Sequence, residues 1–148
     1  MINKSINHYG ALIMITVTAF GQANRPTTSP ETFKPIPDFT RYRVSDQGRI
    51  ATASGAIMAD YDSGKGYRQI VLIDDNGKAR HMYVHRLVLM AHVGLPPSPT
   101  HQAAHWPNAD RSDNRLENLR WATPRENAAD KRRHAAERRA AITPTTLH

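Results

Sequence analysis

His105, Asn118 and Asn127 are the residues whose types and spacing could do chemistry in this 148-residue chain. His105 follows the short apolar pair Ala103-Ala104 and precedes a polar, turn-rich loop. Asn118 opens Asn118-Leu119-Arg120-Trp121-Ala122, which has the pattern of a return strand, and Asn127 lies in the first turn of a helix. Strand, loop, strand and helix could bring the three within reach of one another. Hydrolysis of a phosphodiester needs such a set: a base near neutral pH, a metal for the leaving oxygen, and a group that fixes the base. An unperturbed histidine titrates near pH ~6.5, so much of it is already neutral at pH ~7. Singly, each residue has an ordinary explanation: a loop histidine, a turn asparagine capping a strand, a solvated helix asparagine.

The elements that must position these residues are legible in outline. From Phe33 the chain breaks into short strands. Tyr42-Arg43-Val44-Ser45 leads to a turn at Asp46-Gln47-Gly48, and Arg49-Ile50-Ala51 resumes the strand. Residues 62–66 form a turn and 67–73 alternate. Asp75-Asn76-Gly77 is a hairpin signal whose second arm is 80–84. Residues 84–93 have helical spacing, with Val84, Leu87, Val88 and Ala91 on one side, and Gly94 closes the run. Thr123-Pro124-Arg125-Glu126 announces a second helix over 124–141: Thr123 caps it, Pro124 suits its first position and Glu126 completes a capping box. The expected fold class is α+β, with Leu116, Leu119, Trp121 and the first helix as packing residues.

Composition narrows the partners. Lys and Arg total 20 against 13 Asp and Glu, a formal charge of +7, which favours a polyanion: nucleic acid or an anionic membrane surface. Cysteine is absent. That excludes a disulfide scaffold, a thiolate zinc site and a cysteine nucleophile, but not a metal held by His, Asp and Asn. Residues 9–20 are apolar after a lone Lys4, too short to span a bilayer as a helix, with the outline of a signal peptide. A β-rich packing segment and a start codon placed too far upstream are the alternatives. Residues 24–30 have the composition of a linker.

Two stretches resemble the HNH nucleases of the phage and intron homing-endonuclease type. Ile36-Pro37-Asp38-Phe39 with Tyr42-Arg43-Val44-Ser45-Asp46-Gln47-Gly48-Arg49-Ile50 is similar to the module that precedes the nuclease domain there. The segment from Val84-His85-Arg86-Leu87-Val88 through His105 to DNRLENLRWAT (113–123) and Asn127 is similar to the nuclease finger itself. The resemblance covers residues 33–131. It implies a leader and linker at 1–32, a β-rich module at 33–83, a ββα-metal finger at 84–131 and a basic helical tail at 132–148. It further implies His105 as the general base, Asn118 as a brace of the loop that helps orient that base, and Asn127 as the ligand of a divalent cation, Mg²⁺ or Mn²⁺. The implied activity is metal-dependent cleavage of double-stranded DNA, by nicking, in the cytoplasm of a bacterial host or from a phage genome. Secretion through residues 1–23 is the other possibility. No membrane partner is implied, and a monomer is the expected state.

One departure bears on activity. Relatives carry an acidic metal ligand immediately before the base, and here that residue is Ala104. Either Asn127, phosphate and water suffice, or a neighbour such as His101, Asn108 or Asp110 substitutes. The alternative function is a DNA-binding protein of the same fold that cuts weakly or not at all. The 105–118 loop is also slightly longer than the common form. Arg125, Arg132 and Arg139 recur every seven residues on the second helix, flanked by Lys131 and Arg138. These five are the expected phosphate contacts, against the alternative of a solvated surface helix. Arg41, Arg43, Arg49 and Lys65 of the module are further candidates. His85, Trp106 and Trp121 are expected to be structural, and Asp113-Asn114 to form an Asx-type turn.

Overall fold

The computed structural model describes residues 30–142. The apolar run at 9–20, and with it the signal-peptide reading, lies outside the described residues.

Four strands, β1 (Phe33–Ile36), β2 (Phe39–Ser45), β3 (Ile50–Thr52) and β4 (Ile57–Met58), form an antiparallel meander. The β2–β3 turn is the one expected at Asp46-Gln47-Gly48: Gly48 sits at φ +85°, a conformation that glycine adopts without cost. A second sheet follows, with β5 (Tyr61–Asp62), β6 (Arg68–Ile73) and β7 (Ala79–Tyr83) in sequential order. Along β6, Ile70 and Leu72 point into the core while Val71 is exposed, the period-two pattern of a half-buried strand. The Asp75-Asn76-Gly77 turn is closed by Asp74, whose Oδ1 accepts from the Asn76 and Lys78 amides at 3.0 and 2.8 Å. The Lys78 amide first, then the Arg80 guanidinium, hold the Asp74 carboxyl below its ordinary range.

Helix α1 (Val84–His92) packs on β1, β2, β6 and β7 as well as on the last two strands of the described residues. Of the expected apolar stripe, Val84, Leu87 and Val88 are fully buried and Ala91 is half-buried, while Leu89, Met90 and His85 are buried on its other sides. The reason is architectural: a helix covered on several faces buries more than one stripe. One apolar cluster therefore joins Ile36, Val44 and Ile50 of the first sheet to Leu72, the helix and Leu119. Residues 33–83 and 84–131 share that single core.

The remaining elements are the hairpin of β8 (Gln102–His105) and β9 (Leu119–Ala122), and helix α2 (Pro124–Ile142). Thr123 and Glu126 make the expected capping box. The Thr123 amide donates to Glu126 Oε2 at 2.7 Å and the Glu126 amide to Thr123 Oγ1 at 3.3 Å. The only α2 residues that are buried are Asp130 and His134, both polar. This helix is held by specific polar contacts rather than by an apolar stripe. Residues 31 and 32, assigned to the linker from sequence, are tied to the first sheet: the Asp46 amide donates to the Thr32 carbonyl at 3.1 Å, and Arg49 Nε to Glu31 Oε1 at 2.8 Å.

Candidate active site

His105 ends β8, opposite Leu119 on β9, with only 9% of its surface exposed. Its Nε2–H donates to Asn114 Oδ1 at 3.3 Å. An amide oxygen only accepts, so this bond keeps the proton on Nε2 and leaves the Nδ1 lone pair to act as a base. Burial pushes the imidazole pKa down; the Asn114 bond and the charges of Asp113 and Asp110 oppose that, and the net shift is downward. The ring is therefore neutral at physiological pH, as a proton acceptor must be.

On one side His105 meets a cluster of rings. His85 lies 4.9 Å away centroid to centroid, and Tyr67 lies 5.8 Å from His105 and 5.5 Å from His85. His85 is 6% exposed, and burial first, then the His105 and Arg86 charges, hold its pKa down to about 3. It packs as a neutral ring from α1, in keeping with the structural role expected of it.

Asn118 has no hydrogen bond to His105. Nearly fully buried, it spans the loop from within: Oδ1 accepts from the Asn108 amide at 2.7 Å, and Nδ2 donates to the Asp113 carbonyl at 3.2 Å. It thus fixes the 108–113 excursion, and the residue that touches His105 is Asn114. Sequence reasoning assigned Asn114 to a turn. Asp113 does make that turn, accepting from the Arg115 amide at 3.3 Å, and Asn114 is left free to turn inward. The loop is also clamped from the first sheet. The Leu116 amide donates to the Asp46 carbonyl at 2.7 Å, and a Cβ on Gly48 would lie 2.8 Å from Asn114 Cβ. Only glycine at position 48 lets the β2–β3 turn back Asn114, the residue bonded to His105.

A cleft of about 220 Å³ opens between His105 and α2. Asn127, Asp130, Lys131, His134 and Arg138 line it from the helix, and Arg111 lines it from the loop. Their spacing is that of one helical face. Asn127 Nδ2 donates to Gln102 Oε1 at 2.6 Å, which leaves the Asn127 Oδ1 acceptor open. Neither Lys131 nor Arg138 enters an ion pair among the described residues. Arg111 Nη1 donates to the Lys65 carbonyl at 2.9 Å, and its guanidinium lies 4.9 Å from the Tyr67 ring centroid.

The structure thus brings His105, Asn127, Lys131 and Arg138 together, with Asn118 behind them. Arg125, Arg132 and Arg139 do not line the cleft. At 100° per residue they lie roughly 120–160° around the helix from Asn127. A seven-residue repeat marks a helical face without saying which face meets the site. His101, Asn108 and Asp110 do not line the cleft either; His101 lines a neighbouring cavity with His85 and Gln102. Trp106 is held between Arg133, 3.8 Å from its centroid, and Arg120, 4.7 Å away, while Trp121 Nε1 donates to the Gly94 carbonyl at 3.0 Å. Both tryptophans are packing residues, as expected. Among the described residues no helix is long and apolar enough to cross a membrane.

No cluster of three or more His, Cys, Asp or Glu able to hold a metal occurs among the described residues. Mg²⁺ does not require one, since it keeps several waters and binds through one or two carboxylates plus substrate phosphate. An open amide oxygen beside a carboxylate fits that donor chemistry.

Three comparisons place this arrangement among known proteins. Residues 82–129 match the family model for HNH endonucleases. An uncharacterized HNH endonuclease of Acanthamoeba polyphaga mimivirus is 30% identical over 93 residues, covering 63% of this chain. This chain spans 23% of that relative's length. The structure of the HNH homing endonuclease I-HmuI, a study of DNA binding and cleavage, superposes with a TM-score of 0.60 and 26% identity. That likeness covers 75% of this chain and 67% of the other. The match to the HNH endonuclease family thus falls on residues 82–129, within a fold similar to that of an HNH homing endonuclease.

Proposed function

We propose that this protein is a divalent-metal-dependent endonuclease that hydrolyses phosphodiester bonds of double-stranded DNA, cutting one strand at each engagement. The observation that carries this is the state of His105: buried, neutral, tied through Nε2 to Asn114, and facing a cleft lined by Lys131, Arg138 and Arg111. In this reading Nδ1 of His105 takes a proton from a water molecule as its oxygen attacks phosphorus. The P–O3′ bond breaks, the departing O3′ takes a proton from solvent to become a hydroxyl, and the imidazolium returns its proton to solvent. Asn114 holds the ring against rotation, and Asn118 holds the loop that carries Asn114. Lys131 and Arg138 offset the phosphate charge, which positions the backbone without reading sequence. Asn127 Oδ1 is the ligand for a cation, Mg²⁺ or Mn²⁺, which would polarise the phosphate and stabilise the departing oxygen. Arg125, Arg132 and Arg139, on the outer face of α2, would meet only backbone lying beyond the cleft. Among the described residues one cleft is lined by His105, which favours nicking over a double-strand cut.

The decisive assay is supercoiled plasmid with Mg²⁺ or Mn²⁺. Nicked circles should appear and EDTA should stop them. A His105→Ala variant that cuts as fast as the parent would refute the assignment. Ala104 favours a second reading, a DNA-binding protein of this fold without cleavage. That reading wins if the parent shifts DNA mobility at low salt and leaves plasmid intact at every metal concentration.

A further inference from the structure

Ala104 removes a carboxylate from the strand, and the fold offers another from the opposite side of the same space. Ala104 pairs directly with Arg120 across the β8–β9 ladder, so their side chains share one face of the hairpin. Helix α2 lies over that face, as the Gln102–Asn127 and Arg120–Asp130 hydrogen bonds show. Arg120 Nη2 donates to both Asp130 oxygens, at 2.8 and 2.7 Å. The Asp130 carboxylate is thereby clipped beside the position that Ala104 leaves short. It lies three residues after Asn127 on the cleft face, is 7% exposed, and among the described residues is the one carboxylate lining the cleft. The loop acids are committed elsewhere: Asp113 to Arg115, and Asp110 to the Ser112 amide and hydroxyl.

The ion pair itself is built to yield. A strong arginine–carboxylate pair uses two nitrogens against two oxygens. Here one nitrogen, Nη2, serves both oxygens, while the buried Nε of Arg120 has no hydrogen-bond partner among the described residues. Each Asp130 oxygen keeps lone-pair capacity, and a buried carboxylate without any cation would be costly. Arg120 is thus the counter-ion of Asp130 when no other cation is near.

Resting on the nuclease reading, we propose that Asp130 supplies from α2 the carboxylate ligand that Ala104 cannot, acting with Asn127 Oδ1 on one divalent cation, and that Arg120 competes with that cation for it. The two oxygen donors come from one helical face, a hard-ligand set suited to Mg²⁺ or Mn²⁺.

The test is Mn²⁺ binding to the full-length protein, read by electron paramagnetic resonance of the free ion and by calorimetry, without DNA. Asp130→Asn keeps shape and removes charge, and should weaken Mn²⁺ binding by roughly 10–100-fold. Arg120→Gln frees the carboxylate and should tighten it. Adding Ala104→Asp to Asp130→Asn should restore binding, which a merely misfolded variant would not show. Unchanged binding in Asp130→Asn overturns the proposal. So does parallel weakening by Asp130→Asn and Arg120→Gln, because the ion pair, not the carboxylate, would then be what matters. Plasmid cleavage keeps the two readings apart. Mn²⁺ binding through Asp130 without nicking by the parent leaves the metal site and removes the nuclease. Nicking by Asp130→Asn at the parent's metal requirement does the reverse.

Discussion

Gly48 lies in the β2–β3 turn and His105 at the end of β8, yet replacing the glycine should disable His105. Gly48 sits at φ +85°, and a Cβ there would lie 2.8 Å from Asn114 Cβ and 3.1 Å from the Asn114 carbonyl oxygen. Gly48→Ala therefore carries two costs. Left-handed backbone costs a non-glycine residue roughly 1–2 kcal/mol. Forcing a carbon into occupied space adds about 1–3 kcal/mol. Gly77 separates the two: its φ is +82°, and nothing lies within 4 Å of its Cβ position. Gly77→Ala should lose only the conformational part, so the variants should differ by about 1–3 kcal/mol in urea denaturation. Asn114 must give way in Gly48→Ala, and its bond to His105 is already long at 3.3 Å. Plasmid nicking, measured where both variants are fully folded, should therefore fall by at least about tenfold in Gly48→Ala, since small misplacements of a catalytic group are that expensive. Gly77→Ala should nick like the parent. Equal destabilisation of the two variants, or full activity in Gly48→Ala, would refute the coupling from the β2–β3 turn through Asn114 to His105.

Asn114→Leu should lower the nicking rate and also move the acid limb of its pH profile downward, because the Asn114 bond is what raises the His105 pKa against burial. An upward move in a rate-against-pH series would contradict the assignment. His85 titrates near ~6.5 when unfolded and at about 3 when folded, so the unfolded chain binds more protons between those values. Stability should therefore fall as pH drops from ~6.5 toward 3, and His85→Phe should flatten that slope in denaturation midpoints taken across the range. Lys131→Ala and Arg138→Ala should each reduce the log–log salt dependence of DNA binding by about 1, since each removes one phosphate contact. Arg125→Ala and Arg132→Ala, on the outer face, should change nicking less than the cleft pair does, as side-by-side plasmid assays would reveal.

Much of the site was legible in the chain because its signals are local. A threonine, a proline and a glutamate at fixed offsets mark where α2 begins, since they satisfy its first amides whatever surrounds them. Asp-Asn-Gly between alternating runs marks the β6–β7 hairpin for the same reason. The sequence placed His105 on a strand, Asn118 at a strand start and Asn127 on a helix; the structure keeps the first and last, while Asn118 closes a short 3-10 helix (Leu116–Asn118) and the strand begins at Leu119. Asn114 was not legible as the partner of His105. Its neighbour Asp113 carries the same turn signal, and only the approach of Gly48 and Asp46 from another sheet decides which of the two faces inward.

Local sequence also misdirected where a pattern was consistent with several orientations. Three arginines seven residues apart define a stripe on α2, but the angle of the helix about its axis is set by Asp130 on Arg120 and His134 on the Pro107 carbonyl. That angle turns Lys131 and Arg138 into the cleft and Arg125 and Arg132 away. The amino-acid sequence alone determined the elements, their caps and turns, and the histidine and asparagines of the finger, because those depend on neighbours within a few residues. Tertiary structure decided what no local rule contains: that α1 is covered on several faces, that Asn114 holds His105, and that a carboxylate on α2 lies beside the strand position of Ala104. Each depends on contacts between segments far apart in the chain, whose geometry exists only once the shared core has formed.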